Sequence, residues 1–155
     1  MRKQGKIQDL YAHNIEELST LPVKEQFDII LAGEVVEHLD NVGSFIDSCV
    51  RILSQNTKLV ITLPNAYSVK RFLIACLARK EHVHPDHTAY FSPSTLTRIA
   101  ARHGLRITSM CGYIWENPTW GNRIANMVAR TFIAVFRSPL LGDGLIAEFQ
   151  LPPAP

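Results

Sequence analysis

The chain has 155 residues, 46% of them hydrophobic, with 16 Lys and Arg against 14 Asp and Glu. That length accommodates one domain with a sizeable core and is short for two. No basic run exceeds two residues, so there is no strong nucleic-acid signal, and no stretch reaches the roughly 18 apolar residues of a membrane span.

Cys49, Cys76 and Cys111 are odd in number and widely spaced, which fits neither a disulfide framework nor a Cys-x-x-Cys metal knuckle. The N-terminus "MRKQGKIQDLYAH" is basic but lacks the apolar stretch of a signal peptide. These features give the expectation of a soluble, cytoplasmic protein.

In chain order, "KIQDLYAH" reads as a strand, and "NIEELSTL" as a loop or short helix with Asn14 as a candidate cap. "FDIILAG" is almost continuously apolar, the pattern of a strand covered on both faces. Directly behind it, "GEVVEHL" gathers Glu34, Glu37 and His38, where one helical turn would bring the three side chains together. From Asn41 to Leu53, apolar residues recur at helical spacing, and "KLVITLP" follows as a second buried strand stopped by Pro64. Strand, helix and strand in this order predict a right-handed parallel crossover.

"AYSVKRFLIACLARK" predicts another helix, and "EHVHPDHTAYFSP" a histidine-rich loop. "SPSTLTRIAARHG" starts a helix at Ser92 or Ser94, with Pro93 in its first turn, and stops at Gly104. "LRITSMCGYIW" is a strand. A broad apolar helix over 121 to 137 is expected to be core or a lid over a lipophilic substrate, with membrane-surface contact as the lesser reading. "GDGLIAEFQ" then reads as a turn and a last strand. Residues 151 to 155 read as a disordered tail, leaving residues 1 to 150 as a single α/β domain.

Three segments together, "FDIILAGEVVEHL", "KLVITLPNAYS" and "HPDHTAYFSPSTLTRIAARHGLRI", resemble in order and spacing the later two-thirds of class I S-adenosylmethionine-dependent methyltransferases. The resemblance implies a Rossmann-like methyltransferase sheet, mostly parallel with an antiparallel last strand. Residues 7–12, 27–33, 58–63, 105–114 and 144–150 would be its third to seventh strands. It further implies S-adenosylmethionine as cofactor, with Asn14 and Ile15 at the adenine and Gly33 and Glu34 at the methionine portion. Glu37, His38 and His87 would be catalytic, and Asn65 would bind the acceptor, with helix capping as its structural alternative.

The family's opening strand and Gly-x-Gly-x-Gly turn are not found here. The one Gly-x-Gly, at Gly142 to Gly144, precedes a strand and reads as a turn. The domain is therefore expected to be partial and N-terminally truncated, weak or inactive by itself. "FDIILAG" is then an apolar edge inviting self-association.

The primary expectation is O-methylation of a small-molecule or glycolipid-type acceptor. A non-catalytic remnant or partner subunit is the competing reading. In a subset of the family, the same Glu-x-x-Glu-His pattern binds a magnesium-type ion, which makes Glu34, Glu37, His38 and His87 an alternative Mg²⁺ or Mn²⁺ site and adds a metal-dependent RNA 2′-O-methyltransferase as a third reading. His87 is preferred to His84 because "His-x-x-x-Phe-Ser-Pro" recurs among relatives. His82 and His103 are expected to be solvated, and His13 to serve local structure.

Overall fold

The computed structural model describes residues 12–20, 27–79, 81, 83–116 and 120–153. Most of the strand expected over residues 7–12 lies outside them, as does His82. Ile15–Thr20 forms 3-10 turns begun by the Asn14 carbonyl, which accepts from the Glu17 amide at 3.0 Å. His13 closes this segment through its Nε2, 3.0 Å from the Glu17 carbonyl and 2.9 Å from the Thr20 hydroxyl.

Strand β1 (Ile29–Gly33) leads through a 3-10 turn at Val36–His38 into α1 (Val42–Ile52) and then β2 (Lys58–Pro64). Helix α1 starts where the Asn41 side chain accepts from the Ser44 amide at 3.0 Å. Its apolar stripe buries Phe45, Ile46 and Cys49. Burial pushes the Cys49 thiol up to about 12, so it packs as an inert apolar group.

Helix α2 (Val69–Ala78), capped by Ser68, precedes the histidine loop. Helix α3 (Pro93–Arg102) opens on a capping box in which the Ser92 hydroxyl accepts from the Thr95 amide and the Thr95 hydroxyl accepts from the Ser92 amide. It ends at Gly104, whose φ of +72° suits a residue without a Cβ. Strand β3 (Arg106–Tyr113), helix α4 (Trp120–Phe136) and strand β4 (Gly144–Gln150) complete the fold.

The sheet order is β1-β2-β4-β3. β1 and β2 pair in parallel, from Ile29 opposite Lys58 to Gly33 opposite Thr62. β4 runs antiparallel between β2 and β3. Three strands therefore point one way, as expected, but inserting β4 between two of them makes two of the three pairings antiparallel. Gly33, Pro64 and Tyr113, the last residues of β1, β2 and β3, share one rim with Gly144, the first residue of β4. Such a rim is where open α/β sheets bind ligands.

Leu59, Ile61 and Leu63 of β2 join Leu145, Ala147 and Phe149 of β4, with Phe45 from α1 and Leu96 and Ala100 from α3, in one core. Two burial expectations change. β1 is covered on one face only: Ala32 is buried, while Ile29 and Leu31 are 59% and 69% exposed, at the sheet edge among the described residues. Helix α4 is not core, because it lies over α2 and inserts Ala129 while Met127, Val135 and Phe136 remain more than 60% exposed. His103 also departs from expectation, since its Nδ1 lies 2.5 Å from the Asp47 carboxylate and links α3 to α1. No helix among the described residues is long and apolar enough to cross a membrane.

Behind the rim, the buried Asp143 carboxylate accepts from the Ser68 hydroxyl at 3.0 Å and the Trp115 amide at 3.0 Å and pairs with Lys70 Nζ at 2.8 Å. Lys70 also donates to Asn126 on α4 at 2.9 Å. A buried ion pair is costly to break one-sidedly because the remaining charge stays desolvated. Asp143→Ala is expected to lower the unfolding free energy in urea by about 3–5 kcal/mol; a loss within experimental error would mean that solvent already compensates the pair.

Candidate active site

Glu34 follows β1 with φ +53°, a left-handed conformation costing a non-glycine residue roughly 1 kcal/mol. Its amide donates to the Thr62 carbonyl at 2.9 Å, extending the β1–β2 ladder by one bond. Its carboxylate accepts from the Tyr113 hydroxyl at 2.8 Å and the Thr62 hydroxyl at 3.1 Å. Burial and this carboxylate hold the Tyr113 phenol well above its ordinary range, so it remains a donor.

The next turn divides its residues between core and surface. Val36 and Glu37 are fully buried, whereas His38 is exposed. The Glu37 carbonyl accepts from the Thr88 amide at 2.8 Å, and the Thr88 hydroxyl donates to the Leu39 carbonyl at 2.9 Å. These bonds fasten the histidine loop beside the turn. From its other end, Phe91 forms a bridge with Asn65 just past β2, and its carbonyl accepts from the Ala66 amide at 2.9 Å. Within the loop, the His87 amide donates to the His84 carbonyl at 3.1 Å, closing a turn with Pro85 at the position that favours its fixed φ.

This frame brings Glu37, His38 and His87 together, each offering a ligand atom, all within 4.8 Å of one another. The His38 and His87 rings meet edge to face at 4.7 Å, with the His84 ring 5.0 Å from that of His87. His38 Nδ1 donates to the Asp86 carbonyl at 3.1 Å, which in the neutral ring leaves the lone pair on Nε2. Both Glu37 carboxylate oxygens and His87 Nδ1 are buried without a hydrogen-bond partner in the described structure. Burial is the main cause raising the Glu37 carboxyl above its usual range, reinforced by Glu34 and opposed by its own backbone amide and His38. Burial likewise lowers His87, followed by the like charges of His38, His84 and Arg71. The result is a proton-avid carboxyl facing an imidazole that favours its neutral form.

The remaining sequence candidates are placed differently. Glu34 is not one of the three converging side chains: its carboxylate is bonded to Tyr113 and Thr62, because the left-handed residue at 34 is followed by a 3-10 turn instead of a regular α-helical one, and it adjoins the cluster at Glu37. Asn65 is fully buried: its amide nitrogen donates to the carbonyls of Leu140 at 2.6 Å and Gly142 at 2.9 Å, and its oxygen accepts from the Tyr67 amide at 3.0 Å. Those bonds occupy its side chain in joining two loops. Gly33 is exposed, and a Cβ there would meet only the Thr62 hydroxyl, at 3.6 Å, so it contributes open space. Asn14 is exposed and Ile15 half-buried, on the 3-10 segment packed against α1. Tyr113, Thr62, Thr88 and Asp143 were not singled out by sequence. Tyr113 was recoverable from its place at the end of β3 on the common rim.

A family model described as "Methyltransferase domain" matches residues 3–110. The chain belongs to this family, the class I S-adenosylmethionine-dependent methyltransferases. A ubiquinone biosynthesis O-methyltransferase of Nitrobacter winogradskyi is 34% identical over 104 residues, covering 62% of this chain and 39% of its own length. The chain spans about two-fifths of the length of the curated relatives it matches. A methyltransferase structure from Archaeoglobus fulgidus superposes with a TM-score of 0.59 at 18% identity, covering 91% of this chain and 66% of that one. A small RNA methyltransferase superposes with a TM-score of 0.52 at 15% identity over 80% of this chain and 14% of its own. These likenesses establish the mixed, Rossmann-like sheet.

The folded state holds the Glu37 proton more tightly than the unfolded chain does. Its contribution therefore weakens stability as pH rises from the ordinary carboxylate range through the raised native value. His87, shifted down, weakens stability as pH falls through the ordinary histidine range. Glu37→Leu removes the unpartnered buried oxygens and is expected to raise the unfolding free energy at pH 8 by about 1–3 kcal/mol, with a smaller gain at pH 5. A loss of stability at pH 8 in chemical denaturation would show that the carboxylate is compensated in solution.

Proposed function

We propose that this chain takes part in methyl transfer from S-adenosylmethionine to a hydroxyl group of a small-molecule acceptor presented at the Glu37, His38 and His87 cluster. The observation that carries the reading is the fully buried Glu37 carboxylate, unpartnered and facing two imidazoles at the rim of the sheet. Folding penalises an unused group of this kind, so its retention points to a partner that comes and goes.

The bound cofactor supplies an electrophilic sulfonium methyl. Gly33, exposed and without a side chain, and Glu34, fixed by Tyr113 and Thr62, fit the methionine end of that cofactor. By resemblance, Asn14 and Ile15 belong at its adenine. The neutral-leaning His87 accepts the proton of the acceptor hydroxyl, and the Glu34 carboxylate, whose charge favours the protonated ring, stabilises the imidazolium. His38, oriented by the Asp86 carbonyl, presents Nε2 to the same space. Holding acceptor oxygen and methyl group in line supplies much of the rate.

The convergence of these three side chains favours a second reading. One carboxylate and two imidazoles fit a divalent cation, whose Lewis acidity would lower the hydroxyl pKa. The nitrogen-rich donor set suits Mn²⁺ better than Mg²⁺. In this reading Glu37, His38 and His87 hold the ion, and Glu34 supports the site from its bond to Tyr113.

Calorimetric titration is expected to give S-adenosylmethionine binding at tens of micromolar, unchanged in His87→Ala. With an acceptor, His87→Ala is expected to lower kcat/KM by about 10²–10⁴-fold. A chelator leaves the rate intact if His87 is the base, and abolishes it, with rescue by Mn²⁺, if a cation is held. Failure to bind the cofactor would instead support a non-catalytic remnant or partner subunit.

A further inference from the structure

Helix α4 runs over α2 and forms a cleft with it. This cleft encloses about 400 Å³ and is lined by Val69, Phe72 and Leu73 of α2, Phe132 and Phe136 of α4, and Leu141. The Ser68 hydroxyl in its wall is already engaged, donating to Asp143. Lys70, bonded to both Asn126 and Asp143, holds α4 against α2, so the cavity is built into the fold.

Its position connects it to the rim. Ala66 and Phe72 also border a second cleft of about 270 Å³, which Arg71 and Tyr90 help to line. The Arg71 guanidinium lies 4.6 Å over the Tyr90 ring, and that ring is 5.8 Å from the ring of His87. A polar rim thus leads past Tyr90 and Phe72 into an apolar cavity. We propose that the α2–α4 cleft binds the hydrocarbon tail of the acceptor, which is therefore an amphiphile with its hydroxyl-bearing head at Glu37, His38 and His87.

The inference rests on the acceptor site proposed above only for the position of the head. Two other occupants compete. Arg123 and Arg130 on α4, with Arg137 just past its end, suggest an anionic membrane surface, but Arg130 is already paired with Glu116 at 2.8 Å. A second copy of the chain would cover the exposed ridge of Met127 and Val135 without filling the concave space beneath Phe132. The connection to the rim through Ala66 and Phe72 favours the tail.

The test is the binding of 4-n-alkylphenols, from methyl to octyl, to the full chain by calorimetry. Affinity is expected to rise about fourfold per added methylene over several carbons and then level off as the cleft fills. Phe132→Asp and Phe136→Ser, both at exposed positions, are expected to bring the dependence close to flat while the circular dichroism spectrum stays that of the parent. A flat series in the parent overturns the proposal, and so does a slope that survives both substitutions. Sedimentation with phosphatidylcholine–phosphatidylglycerol vesicles that needs Phe132 and Phe136, together with a flat series, would assign the face to membranes and also overturn it. Loss of methyl transfer with the slope intact would fault the head site and leave the tail cleft standing.

Discussion

The C-terminal end of β2 is the point to which the rest of the rim is referred. Its ladder to β1 runs as far as Thr62 and its ladder to β4 as far as Pro64, and the buried Asn65 follows directly. An amide in the interior must satisfy both its donors and its acceptor, and Asn65 does so on the backbones of Leu140, Gly142 and Tyr67. That requirement draws the segment before β4 and the start of α2 to the same place. The bridge from Asn65 to Phe91 brings the histidine loop there as well. The catalytic candidates are therefore held by backbone pairing and a polar core group, with little reliance on contacts among themselves.

Around that anchor, the site pairs satisfied groups with unsatisfied ones. Glu34 has two hydroxyl donors, and His38 has its Nδ1 proton on a carbonyl. Glu37 has no hydroxyl donor, although it is the more deeply buried carboxylate. In a low-dielectric setting an unpartnered carboxylate holds its proton and an unpartnered imidazole gives its proton up, and both shifts occur here. Adjacent groups displaced in opposite senses are suited to proton traffic with a bound hydroxyl, or to exchange of their protons for a cation. The two readings of the site differ in what enters and agree on which atoms wait for it.

Helix α4 gives the chain an open apolar surface. It joins the two antiparallel strands β3 and β4, a connection that a tight turn could make, and it runs over α2 with most of its apolar side chains still exposed. Its attachment is polar, through Lys70 to Asn126 and Asp143, and its apolar residues are left to line a cleft. A helix fastened at its polar side and open on its apolar side is well placed to meet a lipophilic molecule.

The sequence by itself determined the elements and their order. Apolar runs at "FDIILAG" and "KLVITLP", helical spacing in α1, and Ser92, Pro93 and Gly104 around α3 are local signals, because caps, turns and periodicity act within a few residues. It also singled out Glu37 and His38, in the turn just past β1, and His87, in the histidine loop between α2 and α3. Tertiary structure alone decided which of the neighbouring carboxylates would be buried. Glu34 and Glu37 look equivalent in "GEVVEHL", and the left-handed turn at 34 sends one to Tyr113, 79 residues away, and the other under His87. The fate of Asn65, the open faces of β1 and α4, and the Asp143 centre were likewise hidden. Each depends on partners distant in the chain, and burial is a property of what covers a residue, which local sequence does not encode.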